Sequence, residues 1–135
     1  MKRFVSLATA LGLLLASAGI VEAAGHGPSA VLLPLASTTA AVTTPQRGCD
    51  VPAALDGQPY FEKPTIAIEE GAIGTTEVRV DINSAGTLRS ANVFSSSGNA
   101  WLDAAALRSA HLTRFSAEMS NCKATAGSYL YVVEF

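Results

Sequence analysis

The stretch Ser95 to Ala110, SSSGNAWLDAAALRSA, decides the fold, because a strand ends and a helix begins within it. Its serines, glycine and asparagine are typical of a tight turn followed by a helix N-cap. Apolar residues then recur at helical spacing. They are Leu102, Ala105, Ala106 and Ala110. The pattern predicts a helix from about Asn99 to Ala110 with one apolar face.

A hairpin is predicted before this helix. In TTEVRVDIN, the residues Thr76, Val78, Val80 and Ile82 alternate with charged ones, which is the period of a half-buried antiparallel strand. The turn NSAG follows, with Gly86 able to take a positive φ angle. The second strand, Thr87 to Phe94, changes phase between its inward residues, so we expect a bulge near Arg89 and Ser90.

The chain ends in SYLYVVEF, Ser128 to Phe135, an apolar segment on both of its faces that predicts a third strand. A short helical turn is expected earlier, at Thr65 to Glu70, with Thr65 as its cap. The predicted fold class is therefore α+β. It consists of a three-stranded antiparallel sheet, one main helix packed on it and a short N-terminal helical turn.

The first 23 residues have the organisation of a signal peptide. Two basic residues at positions 2 and 3 precede an uncharged apolar region, and VEAA at Val21 to Ala24 supplies small residues for a cut after Ala23. Cleavage would deliver the chain to the periplasm or cell envelope. The alternative is an uncleaved inner-membrane anchor, because Phe4 to Val21 carries no charge over eighteen residues, close to the length of a spanning helix.

Residues 24–48 predict a flexible linker or tail before a domain at residues 49–135. The segment is rich in Ala, Thr, Ser, Gly and Pro, and the apolar run AVLLPLA at Ala30 to Ala36 interrupts it. Three prolines in the segment oppose a continuous helix.

The cysteines and the net charge narrow the function classes. Cys49 and Cys122 are the two cysteines, and in an exported chain of this size they predict one disulfide rather than two free thiols. Without residues 1–23 the chain keeps seven basic and ten acidic side chains. A net charge of that sign argues against nucleic acid as a partner.

No catalytic or metal site is predicted. Ser96 and Ser97 lack the preceding glycine of a nucleophile elbow, and His111 is expected at the far end of the helix, out of hydrogen-bond reach. The histidines and cysteines lack close ligand spacing, so neither a zinc site nor another cofactor is expected. Trp101 is interpreted as a packing residue, with an exposed recognition role as the alternative.

The segment from Pro64 to Phe135 resembles the C-terminal domain of TonB-type energy transducers. The most specific part is Ser-Ser-Gly, a short spacer, Leu-Asp and an alanine pair, after two strands that each follow a glycine. The matching positions are Gly74, Val78, Val80, Ile82, Gly86, Leu88, Val93, Ser96, Ser97, Gly98, Leu102, Asp103, Ala105 and Ala106. Arg114 and Phe115 match the basic and aromatic residues at the helix exit.

This resemblance implies a non-enzymatic module that binds a protein or peptide by strand addition at a free sheet edge. The implied edge consists of Ser128, Tyr129, Leu130, Tyr131, Val132, Val133, Glu134 and Phe135. The implied partner is an outer-membrane receptor or a second copy of the chain, and no small-molecule substrate is expected. Two alternatives are a true energy transducer with a retained anchor and a structural envelope protein that keeps the fold only.

Overall fold

A four-stranded antiparallel sheet carries a thirteen-residue helix on one face. The computed structural model describes residues 27–35 and 48–135, so the predicted signal segment lies outside the described residues. In chain order the elements are β1 (Ser29–Pro34), β2 (Ala54–Leu55), α1 (Thr65–Glu69), β3 (Thr75–Ile82), β4 (Leu88–Ser95), α2 (Ala100–Leu112), β5 (Phe115–Ser116), β6 (Glu118–Ser120), β7 (Lys123–Thr125) and β8 (Gly127–Glu134).

The order of strands in the main sheet is β1-β8-β3-β4, with every neighbouring pair antiparallel. The α+β class and the single main helix are confirmed, but the predicted number of three strands is wrong. The fourth strand is β1, which lies within the segment that the sequence predicts as a linker. It forms because the largely apolar segment SAVLLP can pair with β8 although it follows Pro28 and ends in Pro34.

The β3–β4 hairpin follows the sequence prediction closely. Leu88, Ala91 and Val93 lie opposite Ile82, Val80 and Val78, and the register shift between Asp81 and Ile82 leaves Arg89 as the additional residue. This is the predicted bulge. At the turn, the Asn83 side-chain oxygen accepts hydrogen bonds from the amides of Ala85 (3.0 Å) and Thr87 (2.8 Å).

The core lies between α2 and the sheet. Small side chains on α2 allow the helix to approach the sheet closely, and valines and tyrosines from β3 and β8 fill the remaining space. The largest fully buried side chains of these elements are Leu102, Val78, Val80, Tyr131 and Val133.

The predicted cap of α1 is wrong. Pro64 rather than Thr65 occupies the N-cap position, and no side chain caps the helix there. Proline is tolerated at a helix start because the first amides have no partner within the helix.

A disulfide ties the beginning of the described domain to the β6–β7 hairpin. Cys49 and Cys122 are bonded, with their Cα atoms 5.1 Å apart. Next to it, Val51 and Met119 exchange backbone hydrogen bonds of 2.9 and 2.8 Å, and the Asp50 carboxylate accepts one from the Asn121 amide at 2.6 Å. The lead segment is therefore fixed covalently and by hydrogen bonds.

Candidate functional site

The backbone of β8 presents its polar groups alternately to the two neighbouring strands. Phe135 exchanges backbone hydrogen bonds with Gly74 beside β3, at 3.0 and 3.4 Å, whereas the Ser128 carbonyl accepts one from the Leu35 amide beyond β1, at 3.4 Å. Because this direction alternates along an antiparallel strand, odd-numbered residues face β3 and even-numbered residues face β1. The outer row consists of Ser128, Leu130, Val132 and Glu134.

The segment β1 occupies this outer row. Val31 lies opposite Val132, and Leu33 lies opposite Leu130, in an antiparallel register that covers all six residues of β1. The expectation that the last strand is a sheet edge is therefore wrong for this structure, since β8 is an inner strand. The reason is that unpaired backbone groups along β8 are satisfied by the nearest available extended segment of the same chain.

Alternate side chains of β1 enter the helix-covered side of the sheet. Ala30 lies opposite Val133, and Leu32 lies opposite Tyr131; both pack against the core. A strand bound along the row therefore places a small apolar side chain beside Val133 and a larger one beside Tyr131. An extended segment is recognised by this kind of alternation, in which the ladder supplies affinity and the side-chain positions supply selectivity.

A chain of hydrogen bonds fixes the side chain of Tyr131, which lies opposite Leu32. The Ser109 hydroxyl donates to the Tyr60 carbonyl at 2.5 Å, so its oxygen accepts the Tyr131 hydroxyl at 2.7 Å. Thr113 then donates to the Tyr131 oxygen at 3.3 Å. Because all of its polar groups have partners, this buried chain holds the tyrosine ring in one orientation.

The face of the sheet that α2 does not cover differs between its two halves. Beside the outer row, Val31 and Leu33 are 47% and 43% exposed. Across β3 and β4, the Asp81 carboxylate accepts hydrogen bonds from the hydroxyls of Ser128 and Ser90, and these lower the pKa of Asp81. The exposed apolar side chains of β1 therefore lie beside the middle of the outer row, whereas Ser128 at one end of the row adjoins the polar group around Asp81.

The two free edges of the sheet are poorer templates than the outer row of β8. By the same alternation, Ala30, Leu32 and Pro34 face away from β8, and proline has no amide to donate. The other edge, β4, contains two register irregularities. Bulges and prolines are devices that prevent pairing at an edge.

The sequence profile of the Gram-negative bacterial TonB protein C-terminal family matches residues 58–135, which is more than half of the chain. The chain belongs to the TonB C-terminal family. No curated protein and no solved structure shows significant similarity to it. Domains of the TonB family act in the cell envelope as non-enzymatic interaction modules in transport. None of the helices in the described residues is long and apolar enough to cross a membrane.

The family match separates β1 from the rest of the sheet. It includes β3, β4, α2 and β8, whereas β1 lies at Ser29–Pro34, upstream of the matched residues. Within the TonB C-terminal part alone, β8 would be an edge strand. The residue row implied by the resemblance is therefore present, but a segment outside the family domain covers it.

The Ser-Ser-Gly and Leu-Asp residues of the TonB C-terminal block form a polar cluster around Asp103. This carboxylate accepts hydrogen bonds from the hydroxyl of Ser96 (2.5 Å), from the hydroxyl and amide of Ser97 (2.9 Å each) and from the buried hydroxyl of Thr76 (2.9 Å). Burial acts to raise the pKa of Asp103, but these hydrogen bonds outweigh it and the pKa is lowered. The cluster joins β3, the loop and α2.

The serines of this loop have a structural role. Asn99 caps α2, since its side-chain oxygen accepts from the amides of Trp101 and Leu102, and both serine hydroxyls are directed at the Asp103 carboxylate. His111 lies in the last turn of α2. Because a helix rises about 1.5 Å per residue, His111 is at the opposite end of the helix from the two serines and out of their hydrogen-bond reach. Sequence reasoning missed the role of Asp103 because one of its donors, Thr76, lies on β3, 27 residues away in the chain.

Two further side chains belong to β8 and to the first turn of α2. The Tyr129 hydroxyl donates to Glu118 at 3.0 Å, and burial together with this carboxylate raises the pKa of Tyr129 to about 12. This bond joins β8 to the disulfide-linked hairpin. Trp101 is 48% exposed, so the interpretation of it as a packing residue is only partly correct.

Proposed function

We propose that the outer row of β8 binds an extended segment of a partner protein by strand addition, in the place that β1 occupies in the structure. The observation that carries the proposal is the ladder between β1 and β8, which extends over six residues in regular antiparallel register. An edge that accepts one uncharged strand in this way has the backbone geometry to accept another. The proposed partner is an envelope protein such as an outer-membrane receptor.

Val132→Pro tests the row directly. The Val132 amide faces the bound strand, so proline removes one ladder donor and places its ring against that strand. We expect at least tenfold less partner to be recovered, which corresponds to about 1.4 kcal/mol. The measurement is quantitative recovery of crosslinked proteins from intact cells that express the tagged full chain.

Val132→Thr is the matched control, because it keeps the amide and a β-branched side chain. It should recover the partner at the wild-type level. A photoreactive residue at Leu130 should crosslink to that partner, and one at Asn92, on β4, should not. Equal recovery by Val132→Pro, with an unchanged circular dichroism spectrum, would contradict the proposal.

Export is the second part of the proposal. Residues 1–23 act as a cleaved signal, and the mature chain begins at Ala24 in the periplasm. We expect N-terminal sequencing of the protein from the periplasmic fraction to start at Ala24. Recovery of the protein only with the inner membrane, starting near Met1, would instead support the anchored transducer.

A further inference from the structure

The segment β1 is held in the sheet by a small set of interactions. Its ladder lies on one side only, and its inward side chains, Ala30 and Leu32, are partly rather than fully buried. Among the described residues, no side-chain hydrogen bond or ion pair joins β1 to the rest of the molecule. Elements with few buried contacts and a free edge open at the lowest free energies in a protein.

By contrast, β8 is held on its other side by an eight-residue ladder to β3 and by the buried side chains of the core. Removing β1 therefore exposes a preformed row on a strand that remains in place. A partner segment needs no rearrangement of the family domain to bind there. It needs only the departure of β1.

We propose that β1 is an internal occupant of the strand-binding row, and that a partner segment must displace it and resemble it. This proposal rests on the proposed function, since it concerns how the same row is occupied. The partner segment is then extended, antiparallel to β8 and uncharged. It carries a small apolar residue in the place of Ala30 and a large aliphatic residue in the place of Leu32.

Competition by a tethered strand lowers the apparent affinity for a partner. Residues 36–47 join β1 covalently to the domain, so β1 competes at the effective concentration of an intramolecular ligand, on the order of millimolar for a short linker. The apparent dissociation constant is the intrinsic value divided by the fraction of molecules in which the row is free. A variant that keeps β1 out of the sheet should therefore bind more tightly.

Val31→Pro is such a variant. The Val31 amide faces β8, so proline removes a ladder donor of β1 and leaves every residue of β8 unchanged. Val31→Thr is the matched control, because it keeps the Val31 amide and a β-branched side chain at a half-exposed position. The probe is a fluorescein-labelled peptide with the sequence of residues 27–35, GPSAVLLPL.

In fluorescence anisotropy titrations of the full mature chain, we expect this peptide to bind Val31→Pro at least tenfold more tightly than wild type. Val31→Thr should remain within about threefold of wild type, because it removes no ladder hydrogen bond and a threefold change is less than the effect of one net hydrogen bond. The same peptide with Leu32→Asp should bind at least tenfold more weakly, since it places a charge at the partly buried apolar position.

Three outcomes of the titrations decide between the proposals. No binding of the peptide to any variant would overturn both, because the row would then accept no strand in trans. Equal binding to wild type and Val31→Pro would overturn the displacement of β1 and leave strand addition supported. If the peptide binds Val31→Pro more tightly than it binds wild type and the control variant, both strand addition and the displacement of β1 are supported.

Hydrogen exchange of the wild type gives a test that depends on no variant. The amides of Leu130 and Val132 face β1, and those of Tyr131 and Val133 face β3. If β1 opens independently, the first pair exchanges at least tenfold faster than the second, and added peptide slows it. Equal rates in the two pairs would show that β1 opens only with the whole domain, and would overturn the proposal.

Discussion

Replacing Asp103 with alanine is expected to lower the free energy of unfolding by about 4 kcal/mol, because hydrogen bonds to a charged acceptor contribute about 1.5–3 kcal/mol each and are not additive. The variant loses the acceptor for three hydroxyls and one amide. It also leaves the fully buried Thr76 hydroxyl without its partner. Urea denaturation followed by circular dichroism measures the difference.

Asp56→Ala is a suitable control, because Asp56 is an exposed carboxylate outside this cluster. Its effect should remain within about 0.5 kcal/mol, as for most surface positions. If Asp103→Ala is no more destabilising than Asp56→Ala, the cluster does not hold α2 on the sheet.

Acid should act through the same carboxylate. The folded-state pKa of Asp103 lies below its ordinary value of 3.8, so the unfolded chain binds the proton more readily. The stabilisation is complete above the ordinary pKa and is lost as the pH falls through the lowered value. The free energy of unfolding of Asp103→Asn should therefore fall by less than that of wild type between about pH 5 and about pH 2, a range that brackets the ordinary and the lowered pKa. If the difference in unfolding free energy between wild type and Asp103→Asn stays constant across that range, Asp103 does not contribute to the acid sensitivity of the fold.

Local patterns in the sequence were sufficient to predict most of the family domain. The alternation from Thr76 to Ile82 predicts β3, and the phase change after Leu88 predicts the bulge at Arg89. Spacing and capping residues predict α2 to within two residues of its observed end. These features depend on neighbours in the chain, which is why single-sequence reasoning finds them.

The segment β1 could not be predicted in the same way. SAVLLP contains apolar residues on both faces, shows no alternation and ends in proline, and short apolar runs of this kind do not identify a strand. Its partner, β8, lies about a hundred residues further along the chain. Proline is tolerated because Pro34 directs its nitrogen away from β8, a fact that depends on the register.

The same limitation explains why the candidate site was only half predicted. The residues of β8 were identified through the family resemblance, and their backbone alternation follows from strand geometry. Whether those groups are free depends on a tertiary contact that no local pattern encodes. The proposed interaction surface of this chain is therefore defined by β8 and β1 together.

Gly86→Ala is the second substitution with a large expected effect, a loss of about 4 kcal/mol, because a positive φ angle costs a non-glycine residue 1–2 kcal/mol and an overpacked contact 1–3 kcal/mol more. Gly86 is buried at the β3–β4 turn with a φ angle of 76°. A Cβ atom there would lie 2.3 Å from the Phe115 carbonyl oxygen. Thermal unfolding of the purified variant measures the loss.

Gly98→Ala separates the two causes of this effect. Gly98 has a similar φ angle, 86°, but a Cβ atom there would meet nothing within 4 Å. The expected loss is therefore only the conformational part, about 1 kcal/mol. Equal losses at the two positions would show that the turn moves away from Phe115 without cost. Since Phe115 pairs with Leu55 in the small β2–β5 sheet, that result would also mean that the hairpin and the helix exit are not rigidly joined.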